Sequence, residues 1–258
     1  MNNFSYVQAP YLSFYSRAFY SHVANVRRGT GFGYLFLLIA LCVIPLVLQT
    51  RSGFFHFVDK EAPKVVTQIP ELIIENGIAS IEEPQPYYIL NPDDQSPLMI
   101  IDMTGEFTTL ENTNAKALIT DKWAMFRKNE FETRTYDFAR IDHFVLNQEK
   151  ISHWADSAKK YLVIVLYPVL LIGLFIWRMI QVCLYAMIGL VFVKILNASC
   201  TYVSLVRMSV FALTPVLLIQ TLFKLTGLAL PSSGFAFFMM AMAYLFFAVY
   251  ASRSEEKV

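Results

Sequence analysis

Cysteine is scarce in this chain of 258 residues, and none lies in its long polar stretch. The three cysteines, Cys42, Cys183 and Cys200, all lie within or beside apolar runs. A disulfide framework across the polar stretch is therefore excluded. A cysteine-free exported domain suits a bacterial plasma membrane at least as well as a eukaryotic secretory one.

Acidic residues are nearly absent outside the polar stretch. Residues 52–158 carry 18 Asp and Glu against 9 Lys and Arg, whereas the rest of the chain carries 2 acids and 12 bases. Loops rich in Lys and Arg stay in the cytoplasm. Because Arg17, Arg27 and Arg28 precede the first apolar run, we expect a cytoplasmic N-terminus and an exported polar domain with a net charge of −9.

Catalytic signatures are also missing. The chain has no Gly-x-Ser-x-Gly motif, P-loop or dinucleotide fingerprint. Asp142, His143, His153 and Asp156 lack the spacing of a metal site, and charged residues of this kind are usually solvated. We predict no catalytic, cofactor-binding or metal-ligating residues, no enzymatic activity and no nucleic-acid partner.

Apolar sequence dominates what is present, since 56% of the residues are hydrophobic. The predicted fold is an integral membrane bundle of four helices, with five as the alternative, and an inserted small antiparallel β or α+β domain outside the cytoplasm. The predicted segments are a cytoplasmic amphipathic leader (1–33), a first transmembrane helix (34–50), an acidic β-rich domain (51–160), a membrane bundle (161–252, with apolar blocks 161–196, 208–223 and 232–252) and a polar tail (253–258).

The number of crossings depends on block 161–196. A single crossing puts Lys194, Arg207 and Arg253 in the cytoplasm, as the positive-inside rule favours. The sequence around Arg178 also lacks a Gly, Asn or Pro for a sharp turn. Four crossings are therefore preferred, although a helix of 36 residues is about 54 Å long and exceeds a core of about 30 Å.

The leader shows a helical apolar stripe, formed by Leu12, Tyr15, Phe19, Val23 and Val26. This spacing predicts one amphipathic helix that begins after a proline and ends at a glycine cluster. The stripe fits equally a helix lying in the headgroup layer and a helix packed on the protein's own bundle.

The polar stretch carries strand signals. Strands are predicted at 64–69, at 72–81 around Asn76-Gly77, at 87–90 and 98–102 around Asn91-Pro92-Asp93-Asp94, and at 117–120, 123–126 and 131–136. A short helix is expected over 148–158. Asp102 and Glu106 flank Thr104-Gly105, where they are expected to cap and solvate a turn.

Three residues of the membrane half are candidate lipid or ligand contacts: Arg178, Thr214 and Pro215. Arg178 is a charge inside an apolar block, which marks either a binding site or an arginine that reaches to the interface. Pro215 removes a helix hydrogen bond and frees a carbonyl, which Thr214 or another helix would satisfy. The same break is also explained as a packing kink.

The order of these parts resembles a known family. The carrying motifs are Arg-Arg-Gly-Thr-Gly at the end of the leader, Ile69-Pro70, Ile-Ala-Ser after Asn76-Gly77, and Ile-Ile-Asp-Met-Thr-Gly at 100–105. The chain resembles the bacterial membrane family catalogued as domain of unknown function 1189. Its membrane half, with Tyr-Val-Ser-Leu-Val-Arg before Phe-Ala-Leu-Thr-Pro, is distantly similar to the Yip-type membrane proteins of vesicle traffic. The resemblance implies a plasma-membrane protein and adds no catalytic residues.

Three functions follow as hypotheses. The first is a non-enzymatic accessory, scaffold or sensor subunit of the bacterial cell envelope, which predicts a protein partner in the membrane or periplasm. The second is transport or binding of a lipid or small amphiphile, with the lipid bilayer as partner. The third is a membrane enzyme acting at the outer face. The sequence carries no specific signal for an oligomeric state.

Overall fold

The computed structural model describes residues 4–5, 7–26, 29–111, 113–129, 131–228 and 233–253, with only the backbone for Ser233. The chain forms two compact units, one from residues up to 50 and from 163 onward, and one from residues 51–162. We call them the membrane unit and the polar unit. Two helices run from one unit into the other, α3 and α5. The helices are α1 (Ala9–Leu12), α2 (Arg17–Asn25), α3 (Phe32–His56), α4 (Ala62–Val66), α5 (Gln148–Leu196), α6 (Tyr202–Thr226) and α7 (Ser233–Ser252).

Four helical segments in the described part of the chain are long and apolar enough to cross a membrane. They are Phe32–Val66, Gln148–Leu196, Tyr202–Thr226 and Gly234–Ser252. The predicted blocks 34–50, 161–196 and 208–223 lie inside the first three, and most of 232–252 lies in the fourth.

Block 161–196 belongs to one continuous helix. Helix α5 has 49 residues, which corresponds to about 73 Å. It continues through Arg178 and through Pro168, and therefore the hairpin on which five crossings depend is not formed. Its first turns contain the helix predicted at 148–158.

The segment predicted as a strand at 64–69 forms no strand, because residues 64–66 complete helix α4 and residues 67–68 form a turn; that prediction is wrong. Helix α3 passes into a π-helical turn (Phe57–Glu61), and α4 follows directly. Pro63 lies in the first turn of α4, where its missing N–H costs no hydrogen bond. The apolar pattern around Val65 suits a half-buried helix as well as a strand.

Helix α6 is the centre of the membrane unit. It begins where the Thr201 hydroxyl accepts a hydrogen bond from the Ser204 amide (3.2 Å), and it ends at Gly227, whose φ of +70° only glycine adopts readily. Residues 205–217 are all buried. Helices α2 and α7 pack against it and against each other.

The leader packs on this bundle, in agreement with one of the two alternatives left open by its stripe. Phe19, Tyr20 and Val23 of α2 are completely buried, and the Phe19 ring contacts the Phe211 ring edge to face at 5.3 Å. The leader is not one helix, however. The chain leaves the helical conformation at 13–16, and the Ser16 hydroxyl then caps α2 by accepting from the Phe19 amide (3.2 Å).

The polar unit contains two sheets. The strands are β1 (Leu72–Glu75), β2 (Ile78–Ser80), β3 (Tyr87–Leu90), β4 (Pro97–Ile101), β5 (Ala117–Ile119), β6 (Trp123–Arg127), β7 (Thr133–Asp137) and β8 (His143–Leu146). One sheet has the order β2-β1-β8 and the other has the order β3-β4-β5-β6-β7. The β1–β2 hairpin forms around Asn76 and Gly77, which have φ of 49° and 80°, as its Asn-Gly pair predicted.

Two pairings depart from the expected antiparallel pattern of neighbouring strands. Strand β4 pairs with β5 in parallel, because the connection over 102–116 returns the chain to the starting end of β4. Strand β8, which sequence analysis missed, pairs with β1 at a separation of about 70 residues along the chain. Buried aliphatic residues of both sheets form the core, including Leu72, Ile74 and Ile101.

Candidate functional site

A polar cluster surrounds Arg178 inside the membrane unit. The guanidinium donates to the side-chain oxygens of Gln181 (2.5 Å) and Gln220 (2.6 Å), and Gln181 in turn donates to the Tyr185 hydroxyl (2.6 Å). We call Arg178, Gln181, Tyr185 and Gln220 the Arg178 cluster. Because Gln220 lies on α6, the cluster joins two candidate spans through charge-assisted hydrogen bonds.

The Arg178 cluster borders a small cavity between α3, α5 and α6. Its volume is about 40 Å³, and its polar lining consists of Cys42, Arg178, Gln220, Thr221 and Lys224. A cavity of this size accommodates a water molecule or the oxygens of one anionic group. It is too small for an acyl chain.

The cavity lies at different levels of the helices that line it. Cys42 is ten residues after Phe32 and nine before Arg51 on α3, which places it about 14–15 Å from each at 1.5 Å per residue. Gln220, by contrast, is six residues before the end of α6, about 9 Å, so the cavity is central along the apolar part of α3 and close to one end of α6. Lys224, two residues before the end of α6, is at the cavity's end nearest Thr226.

Thr214 and Pro215 do not line this cavity, so the three predicted contacts do not form one site. Thr214 is completely buried, with its hydroxyl 3.2 Å from the Tyr34 hydroxyl and 3.4 Å from the Val210 carbonyl oxygen. Helix α6 continues through Pro215. Thr214 thus joins α6 to α3, and Pro215 is buried within α6.

Pro215 frees the carbonyl of Phe211, four residues earlier, because it lacks the N–H that would bond to it. The Tyr20 hydroxyl of the leader lies 3.5 Å from this oxygen and donates at 2.7 Å to the Ser13 carbonyl oxygen. Burial raises the pKa of Tyr20 well above its ordinary value, so it stays a neutral donor. Because the hydroxyl has one proton and donates it to Ser13, its contact with the Phe211 oxygen is the weaker of the two.

Arg207 is a buried cation, which the sequence indicated only as a marker of topology. Its guanidinium donates to the Ala24 and Gly29 carbonyl oxygens, both at 3.2 Å, and to the Ser204 hydroxyl at 3.2 Å. The Ser204 hydroxyl also donates to Ala24 (3.1 Å). Arg207 therefore holds the end of the leader against α6.

The residues that complete the Arg178 cluster were missed as site residues. Arg178, Gln181 and Tyr185 follow the i, i+3, i+7 spacing of one helix face, which is a readable signal. Gln220 is the glutamine of block 208–223. Its hydrogen bond with Arg178, 42 positions earlier in the chain, could not be inferred from local sequence pattern.

The described residues of the polar unit bring together few groups that could bind a metal ion or take part in catalysis. Among the described residues, no group of three or more His, Cys, Asp and Glu could hold a metal ion. The His143 Nδ1 atom lies 3.7 Å from the Glu75 carboxylate, and Asp156 pairs with Lys159 at 2.9 Å.

Asp102 organises a turn, as expected, and does not act as half of a carboxylate pair. Its completely buried carboxylate accepts from the Thr104 hydroxyl (2.5 Å), the Thr104 amide (2.9 Å) and the Phe107 amide (2.6 Å), whereas Glu106 is exposed. Burial alone would raise the pKa of Asp102, but these hydrogen bonds outweigh it and lower the pKa below its ordinary value.

The fold defines a helical protein with four candidate membrane spans and a β-rich insertion between the first two. The chain belongs to the family described as protein of unknown function DUF1189, which matches residues 8–249. This match confirms the resemblance drawn from the leader and from the segment around Asp102. Searches among curated proteins and among solved structures found no significant match.

Proposed function

We propose that the chain is a non-enzymatic accessory or sensor protein of the bacterial plasma membrane, whose membrane unit binds an anionic amphiphile at Arg178. The observation that carries the proposal is a guanidinium inside an apolar block that donates to neutral amide oxygens. Blocks 34–49, 161–196, 208–223 and 232–252 contain no Asp or Glu to neutralise it.

A cation without a neutralising partner raises the free energy of a helix inside a membrane. An arginine at the centre of a membrane helix costs about 2.5–3.5 kcal/mol on insertion scales. Two glutamine side chains satisfy part of its hydrogen-bonding capacity but none of its charge. A neutral residue would pack there at lower cost, and a bound anion would explain why the chain carries an arginine at this position.

The size of the cavity limits which anions can bind in it. With about 40 Å³ available, a phosphate or carboxylate oxygen fits, while the apolar part of the ligand would lie outside among lipid tails. Lys224 offers a second positive charge about 6 Å along α6 from Gln220, at four residues' rise. An amphiphile with an anionic group is therefore the ligand class.

Charge segregation supports the proposed orientation. The described leader carries Arg17, while Arg27 and Arg28 lie outside the described residues. With the leader in the cytoplasm, the acidic polar unit lies in the periplasm and Lys224 faces the outer side.

The test compares two single variants of the full-length protein purified in mild detergent. Arg178→Gln removes the charge at the cavity, and Lys194→Gln removes a cation from the same helix away from it. Co-purifying lipids are identified by native mass spectrometry. We expect Arg178→Gln to lose anionic amphiphile at least tenfold, about 1.4 kcal/mol, and Lys194→Gln to retain it.

A third variant, Arg178→Lys, keeps the charge and should retain binding within tenfold. Thermal unfolding of each variant checks that the bundle is intact. If folded Arg178→Gln carried the same amphiphiles in the same amounts as the wild type, the binding site would not be at Arg178 and the proposal would fall.

Transport of the same amphiphile is the second candidate, favoured by the position of Arg178 near the middle of the apolar block 161–196. Purified protein in vesicles should then speed the exchange of a fluorescent anionic lipid between leaflets, and Arg178→Gln should abolish the effect. Binding without exchange would leave the accessory or sensor role.

A further inference from the structure

Two positive charges line the cavity beside the Arg178 cluster. They belong to Arg178 on α5 and Lys224 on α6. The described residues of the membrane unit contain no Asp or Glu, so no acidic side chain of this unit balances either charge. An anion that enters the cavity therefore meets two cations rather than one.

Most hydrogen-bond donors of these two cations have no partner among the described residues. Arg178 donates from Nη1 to Gln181 and from Nη2 to Gln220, which leaves three of the five N–H groups of a guanidinium. The Lys224 ammonium has three N–H donors and forms no hydrogen bond or ion pair with a described residue. The Thr221 hydroxyl, also in the lining, donates to the Leu217 carbonyl oxygen at 2.8 Å. The free donors of the cavity are thus those of the two cations.

The two cations are close enough to contact one bound group. Gln220, which accepts from the Arg178 guanidinium at 2.6 Å, and Lys224 are four residues apart on α6. This spacing places them on the same helix face, with a rise of about 6 Å between them. Both line the cavity. Because a lysine side chain is long and flexible, its ammonium can reach an anion that the guanidinium holds beside Gln220.

The number of charges and donors matches a phosphate monoester better than the other anionic groups of lipids. A phosphate monoester carries a charge of about −1.5 to −2 at neutral pH on three terminal oxygens, which are strong acceptors. A phosphate diester or a carboxylate carries a single negative charge and leaves one of the two cations without a counter-charge. Arginine binds phosphate through paired N–H groups, and lysine binds it as a point charge.

The position of the cavity along α6 suits a lipid headgroup. Helix α6 has 25 residues, about 37 Å, and a hydrocarbon core is about 30 Å thick, so the end of the helix at Thr226 lies near the headgroup layer. Lys224 is two residues and Gln220 six residues before this end, about 3 and 9 Å. A headgroup that reaches both residues can therefore leave its acyl chains among the lipid tails.

We propose that Arg178 and Lys224 together bind the phosphate monoester headgroup of a membrane lipid, and that Lys224 selects it over lipids with a single negative charge. This inference rests on the binding site proposed at Arg178 and names its ligand. Arg178 holds the phosphate beside Gln220, and Lys224 pairs with its second negative charge. Removal of the Lys224 charge should therefore abolish the preference but not the binding of singly charged lipids.

The test compares two lipids that differ by one methyl group. Phosphatidic acid is a phosphate monoester, and phosphatidylmethanol with the same acyl chains is its methyl diester. Each is added to the full-length protein in mild detergent at pH 8, above the second pKa of a phosphate monoester of about 6, and bound lipid is measured by native mass spectrometry. Lys224→Gln is compared with Lys194→Gln, because Lys194 is also two residues before the end of its helix but lies outside the lining of the cavity. Lys224→Arg restores the charge.

We expect the wild type, Lys194→Gln and Lys224→Arg to bind phosphatidic acid at least about tenfold more tightly than phosphatidylmethanol. Lys224→Gln should bind both lipids equally, and excess inorganic phosphate should not displace phosphatidic acid from the wild type. Thermal unfolding checks that each variant is folded. The comparison in the wild type needs no substitution, so it decides the proposal even if Lys224→Gln does not fold.

Several results would overturn the proposal. Equal binding of the two lipids by the wild type, an unchanged preference in Lys224→Gln, or loss of both lipids from folded Lys224→Gln would each do so, while the site at Arg178 for a singly charged amphiphile would stand. Displacement by inorganic phosphate would assign the site to a soluble phosphate instead of a lipid. If the wild type bound neither lipid, both this inference and the proposed binding function would fall.

Discussion

Replacing Asp102 with asparagine is expected to destabilise the polar unit by about 2–4 kcal/mol. The carboxylate accepts three hydrogen bonds in a completely buried position. Asparagine retains one oxygen for the two Thr104 donors. Its amide nitrogen would then face the Phe107 N–H, so one charge-assisted bond is lost, at about 1.5–3 kcal/mol, and a buried donor is left unsatisfied, at about 1–3 kcal/mol. Because such terms overlap, their total is smaller than their sum.

The assay is urea unfolding of the full-length protein in detergent, followed by tryptophan fluorescence. Trp123 packs in the same apolar cluster as Phe107. A background of Trp154→Phe and Trp177→Phe leaves Trp123 as the single reporter. The midpoint and slope then give the difference in free energy of unfolding.

The effect should depend on pH in one direction. The pKa of Asp102 is lowered in the folded protein, so the ionised form stabilises the fold above the unfolded pKa of about 3.9. This contribution is complete at neutral pH and is lost as pH falls through the folded pKa. The difference between wild type and Asp102→Asn should therefore be constant from pH 5 to 8 and shrink below about pH 4.

Glu106→Gln is the control, because Glu106 is an exposed carboxylate in the same loop. We expect it to change stability by less than about 0.5 kcal/mol. The reasoning would be refuted if Asp102→Asn matched this control, or if the full difference persisted at pH 3.

Three further changes test the membrane unit. Arg207→Met removes the guanidinium donor of the Ala24 carbonyl and should therefore release the leader. Hydrogen exchange of the α2 amides should become at least tenfold faster. Unchanged protection of these amides would contradict the role given to Arg207. Tyr20→Phe should cost about 0.5–1.5 kcal/mol in thermal unfolding, the value of one buried hydrogen bond, with no loss of secondary structure. Gly189→Val should cost about 1–3 kcal/mol of stability more than Gly173→Val. A Cβ at Gly189 would lie 3.0 Å from the Leu205 side chain, whereas nothing lies within 4 Å of a Cβ at Gly173. Equal thermal stability of the two variants would show that the neighbouring helices move apart to accommodate the valine.

Sequence pattern predicted those parts of the fold whose signals are local. The run from Tyr34 to Gln49 is uncharged, and Asn76-Gly77 favours the positive φ values of a tight hairpin. Neither conclusion needs knowledge of a distant residue. The helix continuing past Arg51 to Val66 was missed because a six-residue apolar pattern fits both periodicities.

The candidate site was predicted only in part, for a different reason. Arg178 stands out as a charge in an apolar block, but Gln220 reaches it from another helix. Arg207 looked like a boundary charge, since its partners are backbone oxygens, which any sequence supplies. Pro215 suggested a binding site, yet the carbonyl it frees lies 3.5 Å from the Tyr20 hydroxyl, whose position depends on how the leader folds back.

The contact between Tyr20 and the Phe211 carbonyl also bears on how the protein is made. The two residues are 191 positions apart, and synthesis at about 5–20 residues per second delays Phe211 by about 10–40 s. During that time the buried face of α2 exists without the helix that covers it. The aromatic and basic residues of the leader suit the headgroup layer, so we expect the leader to lie at the membrane surface until α6 has been synthesised. The leader would then lie first in the headgroup layer and later against the protein's own bundle.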